Sequence, residues 1–221
     1  MDEQGAMSAA EVFDGLGGEY ERAFARLPGQ DAALDWLVDR LPAGAAVLDV
    51  GSGTGRPVAA VLAGAGCRVT GIDVSPAMVG LARTQVPGAT FELADVRTYR
   101  PERRFDAVCA FFPLLVMSYE DVTSSLERIA SWIEPGGYLL FATVPGDLRD
   151  APITWMGRQM NVSSLTAEDY LARMESLGLT VLHQHTAVFQ PDSPVAGPEE
   201  HLFVHAHRPG SGTPQDAERR P

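Results

Sequence analysis

An α/β fold with a mainly parallel sheet and helices on both faces is predicted by three observations. Val47-Leu48-Asp49-Val50 is a short, apolar, β-branched run of the kind that fills an interior parallel strand. It leads directly into Gly51-Ser52-Gly53-Thr54-Gly55, whose alternate glycines allow a tight turn with no Cβ between the backbone and a ligand. Further apolar runs over 68–73, 90–93, 105–113 and 138–144 are separated by segments of helical spacing, the alternation expected of βα units.

Composition bounds the answer. At 221 residues and 45% hydrophobic content the chain can bury one sizeable core, and a single domain is expected. Seventeen basic residues against 29 acidic ones give a net charge of −12, which repels phosphate backbones and anionic lipid, so neither nucleic acid nor membrane is expected as a partner. All the basic residues are arginine, which excludes Schiff-base lysine chemistry and fits a GC-rich, actinobacterial genome. Cys67 and Cys109 have no metal-type spacing and are read as reduced core residues, with no metal expected. The amino terminus shows no basic region followed by an apolar run, and no 18-residue apolar stretch occurs, so a soluble cytoplasmic protein is expected, monomeric or homodimeric.

In chain order, residues 1–10 are expected to be disordered, and 11–27 and 31–41 to be helical. Leu34, Leu37, Val38 and Leu41 form the apolar stripe of the second of these helices. After the glycine turn, Pro57 suits the first position of a helix running to Ala65. Strand 68–73 ends on Asp73, and Ser75-Pro76 caps and starts a helix to Gln85. Strand 90–93 leads into Ala94-Asp95-Val96. Residues 105–113 form a fourth strand with its exit, 121–133 a helix, and 138–144 a fifth strand introduced by Pro135-Gly136-Gly137. Gly157-Arg158 suits the two-residue type II′ turn of a hairpin within 145–165, and Thr166 with Asp169 approximates a capping box for a helix over 167–177. Two long strands, 180–190 and 201–208, and a disordered tail over 209–221 complete the reading.

The spacing of the glycine turn selects among nucleotide binders. Arg56 stands where a dinucleotide fingerprint needs its third glycine, and a chain without lysine cannot form a phosphate-cradling P-loop. What remains, Asp49-Val-Gly51-Ser-Gly53-Thr-Gly55, resembles the first motif of the class I S-adenosylmethionine-dependent methyltransferases, particularly actinobacterial enzymes of secondary metabolism. Asp73, about 20 residues past Gly51, stands where a Rossmann-like fold places an acid for the ribose hydroxyls, since a carboxylate can accept from both. The resemblance covers 20–208 and implies a Rossmann-like sheet of seven strands, mainly parallel, whose antiparallel seventh strand lies beside the fifth. It implies S-adenosyl-L-methionine as cofactor, helices over 11–41 closing above it, and a binding set of Tyr20, Asp49, Gly51, Ser52, Gly53, Gly55, Asp73, Val74, Met78, Ala94, Asp95, Val96, Ala110 and Phe111. In that set Asp95 accepts from the adenine amino group and Met78 lies against the ring. Tyr20 touches the methionine end or is simply a half-buried helix tyrosine.

The residues leaving the fourth strand bear on the acceptor. Family members that methylate nucleobase amines carry a polar Asn/Asp-Pro-Pro-aromatic run there, whereas this chain offers Phe111-Phe112-Pro113 and two leucines. An apolar lip at the carboxyl end of a central strand favours a small apolar molecule. The hairpin would overhang it with Trp155, Met156 and Met160, as a lid or alternatively as a surface flap or dimer contact. Phe112, Pro113, Trp155, Met156 and Met160 are therefore the substrate-binding candidates. No catalytic residue is evident. His183, His185, His201, His205 and His207 fall at spacings of two on the last strands, without a carboxylate or cysteine at ligand spacing, and His201 and His185 are the candidates for a base. The expected reaction is methyl transfer to oxygen, nitrogen or carbon of a small metabolite. A cofactor-shaped cyclisation or rearrangement, or a binding module, remains the alternative.

Overall fold

A computed structural model describes residues 6–24 and 27–210. The elements run α1 (Ala9–Leu16), α2 (Gly18–Ala23), α3 (Pro28–Val38), β1 (Ala46–Val50), α4 (Val58–Gly64), β2 (Arg68–Asp73), α5 (Pro76–Gln85), β3 (Thr90–Leu93), β4 (Phe105–Phe111) and α6 (Tyr119–Ser131). They continue with β5 (Ile133–Thr143), β6 (Leu148–Trp155), β7 (Arg158–Ser164), α7 (Ala167–Ser176), β8 (Thr180–Phe189) and β9 (Glu199–His207). Seven strands form one sheet in the order β3-β2-β1-β4-β5-β9-β8, and β6 with β7 forms a separate hairpin. The pairs from β3 to β5 are parallel, while β9 runs antiparallel to both β5 and β8. The expected seven-stranded, mainly parallel sheet is thus observed.

The central strands read as unbroken apolar runs because both of their faces are covered. Along β1, Ala46, Leu48 and Val50 join Val122, Leu126 and Ile129 of α6 and Tyr170 and Met174 of α7 on one face. Val47 joins Leu34 and Leu37 of α3 and Ala59 and Leu62 of α4 on the other. Each fully buried leucine here is worth about 1.5–3 kcal/mol. Cys67 and Cys109 are buried and unpaired, as expected. Among the described residues no helix is long and apolar enough to cross a membrane, and no group of three or more His, Cys, Asp or Glu could hold a metal ion.

A third core lies above the carboxyl ends of the strands. Val12, Leu16, Ala23 and Phe24 of the amino-terminal helices meet Met156, Met160 and Val162 of the hairpin there. Met7 N–H donates to Gln159 O at 3.1 Å, and Arg158 Nη2 donates to Gly15 O at 2.6 Å, so helices and hairpin form one cover.

Several local expectations are corrected. The helix expected over 11–27 is two helices, because Gly17 at φ +49° ends α1 with its N–H on Phe13 O and α2 starts afresh. Order reaches into the tail expected over 1–10: Ser8 caps α1 in a capping box with Glu11, two residues whose pattern the compositional reading passed over. Residues 1–5 and 211–221 of the expected disordered tails lie outside the described residues. Pro57 is the cap of α4 rather than its first residue. Trp155 pairs with Arg158, so the hairpin turns on Met156-Gly157, both at positive φ, a type I′ and not a type II′ turn on Gly157-Arg158. Pro135-Gly136-Gly137 lies within the long β5 rather than before it.

Candidate active site

The glycine turn is held by backbone bonds to the neighbouring strand. Gly51 N–H and Ser52 N–H both donate to Ile72 O, at 2.8 and 3.0 Å. Gly51 stands at φ +69°, and a Cβ there would lie 2.7 Å from Pro113 Cβ, so the turn and the β4 exit fit only around a glycine. The Asp73 carboxylate bridges the two loops, accepting from Gly53 N–H and Ser75 N–H, each at 2.9 Å. Burial pushes the Asp73 carboxyl up, and the backbone N–H groups of Ser75, Gly53 and Val74 work against that shift. Asp49 lies beneath the turn with Oδ2 buried and unpartnered. Burial, with the nearby Asp73 charge second, pushes its carboxyl up to about 8.

A cavity of about 290 Å³ opens above this turn, between the carboxyl ends of the strands and the cover. Of the residues expected to bind the cofactor, Tyr20, Gly51, Gly53, Asp73, Val74, Met78, Ala94, Asp95, Val96 and Phe111 line it. Phe112, Pro113, Trp155, Met160 and His201 line it as well. Asp49 and Ser52 instead face a neighbouring recess of about 390 Å³ behind the turn, which shares Tyr20, Gly51, Gly53, Phe111 and Phe112.

Four candidates lie elsewhere. Gly55 faces Val86, Phe91 and Ala82, where a Cβ would be tightly packed at 3.0–3.3 Å, and Ala110 points into the sheet core. The positive φ of Met156 turns its side chain into the third core instead of the cavity. His185 sits on the edge strand, stacked on Phe203 with ring centroids 5.2 Å apart, and does not reach the cavity. It is not placed to act as a base there.

Asp95 lines the cavity but is already engaged. Arg97 donates to it from Nε and Nη2, the latter at 2.6 Å, and Arg97 Nη1 lies 3.3 Å from Asp121. Burial raises the Asp95 carboxyl, but the hydrogen bonds from Arg97 outweigh it and hold the carboxyl below its usual range. The end of the cavity away from the glycine turn is aromatic. Tyr20 stacks on Phe24 at 4.9 Å and meets Phe13 edge-on at 5.4 Å, and Trp155 lies 5.7 Å from Phe24. Burial drives the Tyr20 hydroxyl well up, with Glu199 and Asp73 adding to the shift. Glu199 accepts from Trp155 Nε1–H at 2.6 Å and lies 3.0 Å from His201 Nε2.

Sequence reading missed Phe13, Phe24, Arg97, Glu199 and Asp14. Asp14 accepts from Ser75 Oγ and, at 3.1 Å, from Ala77 N–H, docking α1 on the start of α5. Glu199 shares a strand face with His201 at a spacing of two, so period-two alternation could have found it.

Residues 47–137 match the methyltransferase domain family, spanning the glycine turn, Asp73, Asp95 and the β4 exit. That segment is similar to a methyltransferase domain. A relative from Escherichia coli O1:K1, trans-aconitate 2-methyltransferase, is 32% identical over 108 residues, 42% of this chain and 43% of that protein. The chain thus spans less than half the length of that curated relative. Across the fold, the domain superposes on Burkholderia thailandensis 1,6-didemethyltoxoflavin-N1-methyltransferase with bound 1,6-didemethyltoxoflavin and S-adenosylhomocysteine. The TM-score is 0.68 at 20% identity, covering 95% of this chain and 93% of that one. The [4+2]-cyclase SpnF gives the same TM-score of 0.68 at 19% identity, covering 93% of this chain and 98% of that one.

Proposed function

We infer that the chain binds S-adenosylmethionine in this cavity and transfers its methyl group to a small, largely apolar acceptor. The division of the cavity carries the reading: the glycine turn, Asp73 and Asp95 stand at one end, and an apolar chamber under the aromatic cover at the other. The residues fit the cofactor. A Cβ at Gly53 would meet nothing within 4 Å, so the turn faces open space. Asp73 uses one bond per oxygen on Gly53 and Ser75, and its remaining lone pairs can take the ribose hydroxyls. Asp95, held by Arg97, and Val96 would meet the adenine edge, Met78 its face, and Tyr20 the methionine end.

Bound there, S-adenosylmethionine supplies a methyl group already activated on a positively charged sulfur. The chain's own task is to hold the acceptor in line and keep water out. Phe111, Phe112, Pro113, Trp155 and Met160 do both, because apolar walls orient a greasy acceptor and leave water few partners. A role in secondary metabolism belongs to the same proposal and is supported by that apolar lining alone.

The likeness to a cyclase favours one second reading, in which the bound cofactor shapes the chamber for a rearrangement without giving up its methyl group. Mass spectrometry of the purified protein with S-adenosylmethionine and a panel of small aromatic and polyketide-like acceptors separates the two. A product heavier by one methyl, with S-adenosylhomocysteine formed in equal amount, is expected. A product of unchanged mass with the cofactor unconsumed would overturn methyl transfer.

A further inference from the structure

Glu199, the first residue of β9, brings the only carboxylate among the described residues to the acceptor end of the cavity; the other lining acids, Asp73 and Asp95, stand at the glycine-turn end. Its side chain is 16% exposed and is oriented by two donors. Trp155 Nε1–H reaches one oxygen at 2.6 Å, and His201 Nε2 lies 3.0 Å from the other. An ionised carboxylate can only accept, so His201 carries its proton on Nε2 and donates. His201 Nδ1 is left buried without a partner. Each carboxylate oxygen accepts two bonds, so each keeps one free lone pair, in a chamber walled by Phe24, Phe112 and Trp155.

The charge balance around it is one-sided. Arg97 is the sole arginine among the described lining residues, and it is committed to Asp95 and Asp121. His201 is pressed between Phe112 and Phe189, with centroids at 4.5 and 5.5 Å, and presents no charge to a ligand while neutral.

We propose that Glu199 reads the acceptor: the site takes a neutral, largely apolar molecule bearing an O–H or N–H donor seated against this carboxylate, and turns carboxylates away. This rests on the reading of the chamber as the acceptor site. A donor placed against a charged, pre-oriented acceptor out of water makes one of the stronger hydrogen bonds available to a small ligand. A ligand without a donor leaves the two lone pairs dry, and a ligand carboxylate sets like charges together with no free cation of the protein between them.

The test is calorimetry on the full chain, first with S-adenosylhomocysteine and then, with and without it, with three probes of one shape: 1-naphthol, 1-methoxynaphthalene and 1-naphthoate. 1-Naphthol is expected to bind about tenfold or more tighter than the other two. Glu199→Gln is expected to weaken 1-naphthol about tenfold, leave 1-methoxynaphthalene within about twofold, and relieve the rejection of 1-naphthoate. If that variant does not fold, Trp155→Phe, which removes only one orienting donor, is expected to weaken 1-naphthol about threefold with 1-methoxynaphthalene unchanged. Absence of 1-naphthol binding, 1-naphthoate binding as tightly as 1-naphthol, or a ranking unmoved in the variant that folds would overturn the proposal. Failure to bind S-adenosylhomocysteine while the probe ranking holds would count against the cofactor reading and leave the role of Glu199 standing.

Discussion

The two ends of the cavity are built in opposite ways. At the glycine-turn end most polar groups are held by backbone: Asp73 accepts from Gly53 N–H and Ser75 N–H, Gly51 N–H and Ser52 N–H donate to Ile72 O, and only Asp95 leans on a side chain, Arg97. At the aromatic end the bonds run between side chains, as in Trp155 to Glu199, and the cover above it is tied across long stretches of chain, as in Arg158 to Gly15. Backbone geometry makes the first end intolerant of an added atom at Gly51, where a Cβ would meet Pro113. Side-chain packing makes the second end adjustable, because each wall can change without moving a strand. One fold can thereby keep a single cofactor site while its acceptor pocket varies.

Gly51→Ala should break the comparison at its rigid end and have the largest effect. The new methyl would need a left-handed backbone and would meet Pro113 at 2.7 Å, costing about 1–3 kcal/mol of stability. By calorimetry, S-adenosylhomocysteine affinity should fall at least about tenfold. An unchanged affinity would show that the turn is not the cofactor's seat. Trp155→Ala should give the mirror image. Loss of the indole wall and of the donor to Glu199 should weaken 1-naphthol by about tenfold and leave S-adenosylhomocysteine within about twofold, and equal losses in both would mean that the two ends are one mechanical unit.

The smallest effect lies outside both ends and sharpens the comparison by separating stability from binding. His205, on the same face of β9, has both ring nitrogens buried without partners. Burial first, then the facing His183, His185 and Arg40, lowers its pKa from 6.5 to about 4. A histidine depressed in the folded state contributes stability that is full above its unfolded pKa and is lost as pH falls through the folded one. Thermal unfolding followed by circular dichroism should therefore show a loss between about pH 6.5 and 4, on the order of 1 kcal/mol after solvent screening, which His205→Gln reduces. An acid limb identical in the variant would assign the loss to other groups.

The same contrast governs what could be read in the sequence. The strand entering the glycine turn, Asp73 at the end of the next strand and the Ser75-Pro76 helix start are local patterns, legible because their causes lie within a few residues. Gly17 was not legible as a break, since an isolated glycine in a helical stretch is tolerated until its neighbours need a left-handed cap. The hairpin register failed by one residue because Met156 accepts positive φ that its side chain alone disfavours, with packing in the third core compensating. Arg97 carries no motif in the sequence, and only the fold brings Asp121 to it. The face of Glu199 was legible beside His201, but its bond to Trp155 was not, because that partner lies on the β6–β7 hairpin.

Phe112 carries a further consequence. It holds φ at +61°, an arrangement that costs a non-glycine residue about 1–3 kcal/mol, while its N–H still donates to Ala142 O at the end of the sheet. That backbone well separates two successive phenylalanines that both line the cavity, Phe111 buried in the layer with α3 and α4 and Phe112 packed over His201. The position is a spring held under load: glycine would relax the chain and remove an aromatic wall of the cavity. Backbone comfort and the aromatic wall pull in opposite directions there, so a glycine would trade part of that wall for a relaxed chain.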